Sequence, residues 1–192
     1  MRDLFLLPNL LTLFRIFLIF PTLVLLEKEI YNLASIIILI LFLTDFFDGK
    51  LARKLNQVTQ IGSILDPIAD KLVVMSFFTY FYLNHKVPLV YFLIVMIRDI
   101  AQLSVIPVLI FWKKILFKVK PKLIPKIGTT LNFIILFLIF LSLILIEILE
   151  KELYNFVMYF LFWISGAIEV YILVTFFPRY YEIYTGKHDT FE

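Results

Sequence analysis

The chain has 192 residues, of which 62% are hydrophobic and 18% aromatic, and its mean hydropathy is +0.97. Soluble domains carry roughly 45–50% apolar residues, so this composition excludes a water-soluble fold of the same size. The absence of cysteine excludes disulfides, thiolate metal sites and cysteine nucleophiles, and the small net charge of +3 gives no reason to expect a nucleic-acid partner.

Six apolar stretches are long enough to cross a bilayer, which takes roughly 20 residues in a helix. They are predicted over Leu7–Leu26, Ile30–Lys54, Gly62–Leu83, Pro88–Trp112, Lys126–Leu149 and Leu153–Phe177. No linker, repeat or low-complexity tract divides the chain. We therefore expect an all-α integral membrane protein, a polytopic bundle of six transmembrane helices that forms a single domain over residues 1–192.

Basic residues concentrate at both ends of the chain and in the connections after the second and fourth stretches. They are Arg2, Lys50, Arg53, Lys54, Lys113, Lys114, Lys118, Lys120, Lys122, Lys126, Arg179 and Lys187. The positive-inside rule then places both termini in the cytoplasm, which agrees with an even number of helices. A bacterial inner membrane is the expected location.

Four aspartates interrupt the second and third stretches near their predicted cytoplasmic ends. Asp45 and Asp48 are three residues apart, and Asp66 and Asp70 are four apart, so each pair shares one helical face. Intramembrane charges are costly, roughly 2.5–3.5 kcal/mol for a central Asp, and usually functional. Converging carboxylates need either protons or cations between them, and an oxygen-only set favours a hard ion such as Mg²⁺, Mn²⁺ or Ca²⁺.

Small and basic residues lie close to the first acidic pair. Gly49 allows a ligand to approach the backbone, and the guanidinium of Arg53 suits bidentate binding of phosphate. Ala52 is equally compatible with helix packing, and Arg53 with a topological anchor. Gly62 marks the beginning of the third helix region.

Together these residues form the pattern D-x2-D-G-x2-A-R-x8-G-x3-D-x3-D from Asp45 to Asp70, with every fixed position present. The chain in this respect resembles the CDP-alcohol phosphotransferase family, whose members transfer a substituted phosphate from a CDP-alcohol to a hydroxyl and release CMP. The resemblance implies a site open to the cytoplasm, two Mg²⁺ or Mn²⁺ ions and a homodimer. It also implies residue roles: metal ligands at Asp45, Asp48 and Asp66, a catalytic base or shared ligand at Asp70, and a CDP site at Gly49, Ala52, Arg53 and Gly62.

The acceptor is suggested by the opening of the first helix, Asn9-Leu10-Leu11-Thr12, followed by Arg15. This opening is similar to that of the phosphatidylglycerophosphate synthases and of related cardiolipin synthases. The first would use CDP-diacylglycerol and glycerol 3-phosphate, and the second would use phosphatidylglycerol as acceptor. The expected contacts to an acceptor phosphate are Arg98, Lys126, Lys71 and Arg15, with an Arg98–Asp99 structural pair and an interfacial lysine as the other interpretations.

A cation or proton transporter is the alternative from another functional class, with the four aspartates as an ion path. Transporter sites tend to lie near the bilayer midplane on broken helices, whereas these aspartates lie at helix ends. Transport also gives no reason for Gly49 or Arg53 at these offsets. We therefore expect phosphatidyl transfer, with phosphatidylglycerophosphate as the favoured product.

Overall fold

The computed structural model describes residues 6–54, 59–107, 118–119, 123–145, 150–185 and 190–191. Within these ranges the chain forms six α-helices and one pair of two-residue strands, so the all-α class is confirmed. The helices are α1 (Leu7–Glu27), α2 (Tyr31–Lys54), α3 (Gln60–Leu83), α4 (Leu89–Pro107), α5 (Leu123–Ile144) and α6 (Lys151–Tyr184). Strand β1 (Lys118–Val119) pairs in parallel with β2 (Thr190–Phe191).

The helix boundaries depart from the predicted ones mainly in the second half of the chain. Helix α5 begins at Leu123, three residues before the predicted start, because Pro125 lies in the first turn, where a missing N–H breaks no helical hydrogen bond. Helix α6 continues to Tyr184, past the predicted end at Phe177 and through Pro178. The predicted ends of the fourth and fifth stretches, 108–112 and 146–149, lie outside the described residues.

Three helices in the described part of the chain are long and apolar enough to cross a membrane. The segments are Asn9–Glu27, Leu123–Ile144 and Lys151–Glu182. Their large side chains point outward: Trp163 on α6 is 80% exposed and Phe20 on α1 is 74% exposed. Such surfaces suit lipid rather than water, because soluble monomers rarely expose contiguous apolar faces of this kind. The chain is therefore an integral membrane protein.

The chain divides into two compact units, Met1–Tyr80 and Phe81–Glu192. In the first unit, α1 packs along α2, and the small side chain of Ala34 is fully buried. Small residues let membrane helices approach closely, and dispersion contacts then stabilise the pair. In the second unit, α6 packs against both α4 and α5, with Val95, Ile135 and Ile139 fully buried.

The connection between α1 and α2 is a tight reversal. Glu29 adopts a φ of 57°, and the N–H groups of Glu29 and Ile30 donate to the carbonyls of Leu26 and Leu25. This pair of bonds closes a helix C-terminus in a left-handed turn, a position that usually favours glycine. The same pattern follows α3, where His85 has a φ of 56°. Each helix is thus reversed within a few residues.

Candidate functional site

The polar face of α1 holds the two carboxylates of α3. The hydroxyl of Thr12 donates to Oδ1 of Asp66 at 2.8 Å. One turn further along α1, the Arg15 guanidinium donates from Nη1 to Oδ1 of Asp70 and forms an ion pair with it. The structure therefore brings together two predicted site residues, Arg15 and Asp70, and adds Thr12 as a contact to a third.

The beginning of α3 is fixed against the same face of α1. Thr59 precedes the first helical residue, and its hydroxyl oxygen accepts from the backbone N–H of Gly62 at 3.0 Å, which is the usual bond of a helix N-cap. The amide of Asn9 donates to the same oxygen at 3.1 Å. A Cβ on Gly62 would come within 2.6 Å of Asn9 Oδ1. Gly62, predicted for the CDP site, thus lies directly against Asn9 of α1.

These contacts define the register between the two helices. Successive partners are Asn9 with Gly62, Thr12 with Asp66 and Arg15 with Asp70. Steps of three residues on α1 match steps of four on α3, each close to one turn of about 3.6 residues. Because both numbers rise together, α1 and α3 run parallel along this contact.

Exposure differs sharply within the Arg15–Asp70 pair. The Arg15 side chain is only 2% exposed, whereas the Asp70 side chain is 47% exposed. The guanidinium is therefore buried among the helices, and the carboxylate it partly neutralises still has accessible surface. Asp66 is also partly exposed. Both carboxylates therefore keep exposed surface in the described part of the structure.

The remaining members of the pattern lie in the last ten residues of α2. They are Asp45, Asp48, Gly49, Ala52 and Arg53. Their backbone is helical, which places each aspartate about one turn from the other, but their side chains lie outside the described part of the structure. The predicted convergence of four aspartates therefore stays a prediction for the α2 pair.

A second polar cluster lies inside the other unit, around Arg98 on α4. The Arg98 guanidinium makes a bidentate bond to Glu169 on α6, with Nε to Oε2 at 2.5 Å and Nη2 to Oε1 at 2.6 Å. Nη1 donates to Oδ1 of Asp99 at 2.6 Å. Arg98 is 3% exposed, and Asp99 and Glu169 are buried as well. The predicted Arg98–Asp99 pair is thus present, joined by a carboxylate that the sequence analysis did not consider.

The cluster continues through neutral side chains. Asn132 on α5 donates to Oε1 of Glu169 at 2.8 Å and accepts from the Tyr91 hydroxyl at 2.6 Å and the Ser165 hydroxyl at 3.0 Å. All three neutral side chains are buried, since Tyr91 is 4% exposed and the other two less. One connected network thereby joins α4, α5 and α6. Such satisfied buried networks fix the arrangement of helices.

Glycine gives the Glu169 carboxylate room beside α5. A Cβ on Gly128 would lie 3.4 Å from Glu169 Oε1 and 2.9 Å from the end of Ile172. Since Gly128 is opposite Ile172 and Asn132 is opposite Ser165, α5 and α6 run antiparallel. The contacts of Tyr91 with Ser165 and of Arg98 with Glu169 show that α4 and α6 run parallel.

The two predicted lysines occupy different environments. Lys71 follows Asp70 directly in α3 and is partly buried. Lys126 lies in the first turn of α5 and is exposed, and its carbonyl accepts from the hydroxyls of Thr129 and Thr130 at 2.9 and 2.8 Å. Lys71 therefore lies in the unit that contains Asp66 and Asp70, and Lys126 lies in the other.

Two contributors were missed by the sequence analysis. Glu169 is an ionisable residue in the interior of the sixth apolar stretch, so the rule that intramembrane charges are seldom incidental identifies it. Thr12 was noted only as part of the opening of the first helix and was given no role, because a threonine in a membrane helix usually bonds to its own backbone. Only the packing of α1 on α3 reveals its role.

No group of three or more carboxylate, imidazole or thiol side chains forms a cation site among the side chains that the structure describes. Asp66 and Asp70 nevertheless suit a hard cation, because carboxylate oxygens are the ligands that Mg²⁺ and Mn²⁺ prefer. The Thr12 bond uses one of about four lone-pair positions on the Asp66 carboxylate, so acceptor capacity remains. The described half of the predicted ligand set therefore fits such an ion.

Comparison with known proteins supplies the family. The model for the family described as CDP-alcohol phosphatidyltransferase matches residues 5–174, which include parts of both units and the whole D-x2-D-G pattern. The match confirms the resemblance drawn from the residues between Asp45 and Asp70.

Several curated relatives carry the name CDP-diacylglycerol–glycerol-3-phosphate 3-phosphatidyltransferase. The protein from Aquifex aeolicus is 44% identical over 99 residues, which cover 49% of this chain and 54% of the relative. Those from Wigglesworthia glossinidia brevipalpis and Rickettsia typhi are each 46% identical over 72 residues, 35% of this chain and 39% and 40% of the relatives. The chain thus spans about half or less of the length of these relatives.

Proposed function

Because the chain belongs to the CDP-alcohol phosphatidyltransferase family, we propose that it transfers the phosphatidyl group of CDP-diacylglycerol to glycerol 3-phosphate and releases CMP. The observation that carries the proposal is the complete aspartate pattern from Asp45 to Asp70. The carboxylates of Asp66 and Asp70, which are held by α1 but keep exposed surface, support it, and so do the names of the curated relatives.

Two divalent cations, Mg²⁺ or Mn²⁺, would be held by Asp45, Asp48, Asp66 and Asp70. When bound, they supply neutralisation of the diphosphate and stabilisation of the charge that develops on the CMP leaving group. Gly49, Ala52, Arg53 and Gly62 complete the proposed CDP site: small side chains admit the nucleotide close to the helix, and Arg53 pairs with phosphate oxygens. The roles at α2 follow from the pattern alone.

Asp70 acts as the base in this proposal. The acceptor hydroxyl oxygen bonds to the phosphatidyl phosphorus, the bond from that phosphorus to the CMP oxygen breaks, and the hydroxyl proton passes to the Asp70 carboxylate. A positioned carboxylate contributes about 10²–10⁴-fold to such a step. The half-exposed Asp70 side chain is compatible with access to a hydroxyl, and Arg15 holds its orientation.

The acceptor phosphate is proposed to contact basic residues from the set Arg15, Lys71, Arg98 and Lys126. Arg15 and Lys71 have the stronger support, because they lie beside Asp70 in contact or in sequence. Three of the five N–H donors of Arg98 are already bonded to carboxylates, which leaves one N–H on each terminal nitrogen for any anion. Lys126 is exposed and available.

The proposed topology has six spanning helices in one membrane domain, with both termini and the site on the cytoplasmic side of a bacterial inner membrane. If every helix crosses the membrane, the odd-numbered helices all run in one direction and the even-numbered helices all run in the other. The parallel contacts of α1 with α3 and of α4 with α6, and the antiparallel contact of α5 with α6, support this arrangement. A homodimer completes the proposal by resemblance.

An acceptor panel tests the substrate assignment. The purified chain is mixed with CDP-diacylglycerol and either Mg²⁺ or Mn²⁺. One acceptor is then added to each sample, either glycerol 3-phosphate, phosphatidylglycerol, serine or inositol, and the lipid products are identified by mass spectrometry. We expect a product, phosphatidylglycerophosphate, only when glycerol 3-phosphate is the acceptor. Product only with phosphatidylglycerol would assign a cardiolipin synthase instead, and no product with any acceptor would contradict the enzyme class and favour the transporter.

A further inference from the structure

The hydroxyl of Thr12 donates to a carboxylate on another helix, a type of partner that the other buried threonines of these helices are not seen to bond. Thr22, Thr44 and Ser142 donate to carbonyls three or four residues back in their own helix, at 2.6–2.8 Å. That local bond is the ordinary behaviour of serine and threonine in helices, since it satisfies the donor without a partner helix. The Thr12 hydroxyl donates across to a carboxylate on α3, as the Ser165 hydroxyl donates across to Asn132 on α5.

Thr12 is fully buried, whereas the carboxylate that it contacts is partly exposed. The Thr12 hydroxyl lies 2.8 Å from Oδ1 of Asp66. We propose that Thr12 is a positioning residue for Asp66, which orients this carboxylate for a divalent cation. The inference rests on the proposed function, because it takes Asp66 as a ligand.

The contrast with Arg15 one turn away explains why a neutral donor is suited to this place. Arg15 brings a positive charge to Asp70 and so balances part of its negative charge. Thr12 fixes Asp66 without adding charge, so the full negative charge of Asp66 remains to attract a cation. Neighbours that orient a ligating carboxylate typically change metal affinity by about 10–100-fold when they are removed.

Three substitutions of Thr12 separate the effect of its hydroxyl group from the effect of its size and shape. Thr12→Val keeps the shape and removes the hydroxyl, and Thr12→Ala and Thr12→Ser both lose the methyl group, but only Thr12→Ser keeps the hydroxyl. Thr22→Val is the matched control, because Thr22 is equally buried on the same helix and its hydroxyl donates to the carbonyl oxygen of Leu18 in that helix at 2.6 Å.

Mn²⁺ binding to the purified full-length chain, followed by electron paramagnetic resonance, is the readout, with circular dichroism as the check on folding. Thr12→Val and Thr12→Ala should raise the Mn²⁺ Kd by about tenfold or more, and Thr12→Ser by less than about threefold. Thr22→Val should bind as the unmodified chain does. If Thr12→Ser binds Mn²⁺ more tightly than Thr12→Ala, the hydroxyl bond that orients Asp66 matters, and not the packing of the lost methyl group.

Two results would overturn the inference in different ways. Equal Mn²⁺ affinity in Thr12→Ala, Thr12→Ser and the unmodified chain removes Thr12 from the metal site and leaves the proposed function intact. Absence of Mn²⁺ binding by the unmodified chain, or binding that survives Asp66→Asn undiminished, removes Asp66 as a ligand and with it the metal part of the proposed function. If Thr12→Val does not fold, the pair Thr12→Ala and Thr12→Ser decides alone.

Discussion

The two units handle buried charge in opposite ways. In the first, α1 presents the Thr12 hydroxyl to Asp66 and the Arg15 guanidinium to Asp70, and both carboxylates keep accessible surface. In the second, Arg98 is enclosed by Asp99 and Glu169, and every member of that cluster is buried. One arrangement holds its charged groups and leaves them open to a ligand, and the other engages its charged groups with one another.

This difference indicates which cluster performs chemistry. Intramembrane charge by itself identifies both as functional candidates. Accessibility and spare acceptor capacity separate them, because a group whose hydrogen bonds are made inside the protein has little left for a substrate. We therefore interpret the α1–α3 face as the reactive part. The Arg98–Glu169 network mainly fixes α4, α5 and α6 together, and Arg98 keeps only two N–H groups for the proposed contact with the acceptor phosphate.

The largest expected effect comes from a substitution at the α1–α3 face, where Asp66 and Asp70 keep exposed surface. Asp70→Asn removes the proton acceptor and should lower turnover by about 10²–10⁴-fold while CDP-diacylglycerol binding persists. Single-turnover CMP release measures the chemical step, and equilibrium binding of the donor shows that the variant is folded. Glu169→Gln serves as the comparison from the Arg98–Glu169 network and should keep turnover within about threefold, because glutamine still accepts from Arg98. Unchanged turnover in Asp70→Asn would remove Asp70 from the mechanism.

Substitutions in the Arg98–Glu169 network should lower the stability of the protein. Glu169→Leu leaves the buried Arg98 guanidinium and the Asn132 amide without their shared acceptor, so the free energy of unfolding should fall by about 3–5 kcal/mol. Glu169→Gln keeps one acceptor oxygen for Arg98 Nη2 and for the Asn132 amide, but its NH2 group faces the Arg98 Nε–H, so its loss should be smaller, about 1–3 kcal/mol. Denaturation in detergent, followed by circular dichroism, measures both. Equal losses in the two variants would contradict a network that depends on this acceptor.

A smaller effect sharpens the comparison at the helix contacts. Gly62→Ala places a Cβ 2.6 Å from Asn9 Oδ1, so the Asn9–Thr59 bond must shift, and about 1–3 kcal/mol of stability should be lost. Gly166→Ala is the matched control, since its Cβ would meet only Tyr91 at 3.6 Å, an ordinary contact. Thermal unfolding of the two variants side by side checks the prediction. A loss in Gly166→Ala as large as in Gly62→Ala would show that general packing, and not the contact with Asn9, decides, because helix propensity alone favours alanine over glycine.

The sequence predicts the helices because a membrane span is set by length and apolarity, which are local properties. The fixed offsets of Asp66 and Asp70 likewise predict a shared face, and both residues contact the same side of α1. The partners Thr12 and Glu169 were not predicted, because neither local pattern nor periodicity says which helix lies opposite. Helix α6 exceeded its prediction because Pro178 does not end it.

The most direct test of the account is CMP release by the purified chain from CDP-diacylglycerol and glycerol 3-phosphate, measured with Mg²⁺ or Mn²⁺ and again with excess chelator. We expect CMP to appear only with the cation, to return when the cation is restored, and to be absent in Asp66→Asn under both conditions. CMP release that persists in chelator, or in Asp66→Asn at the rate of the unmodified chain, would contradict a reaction built on aspartate-held metal.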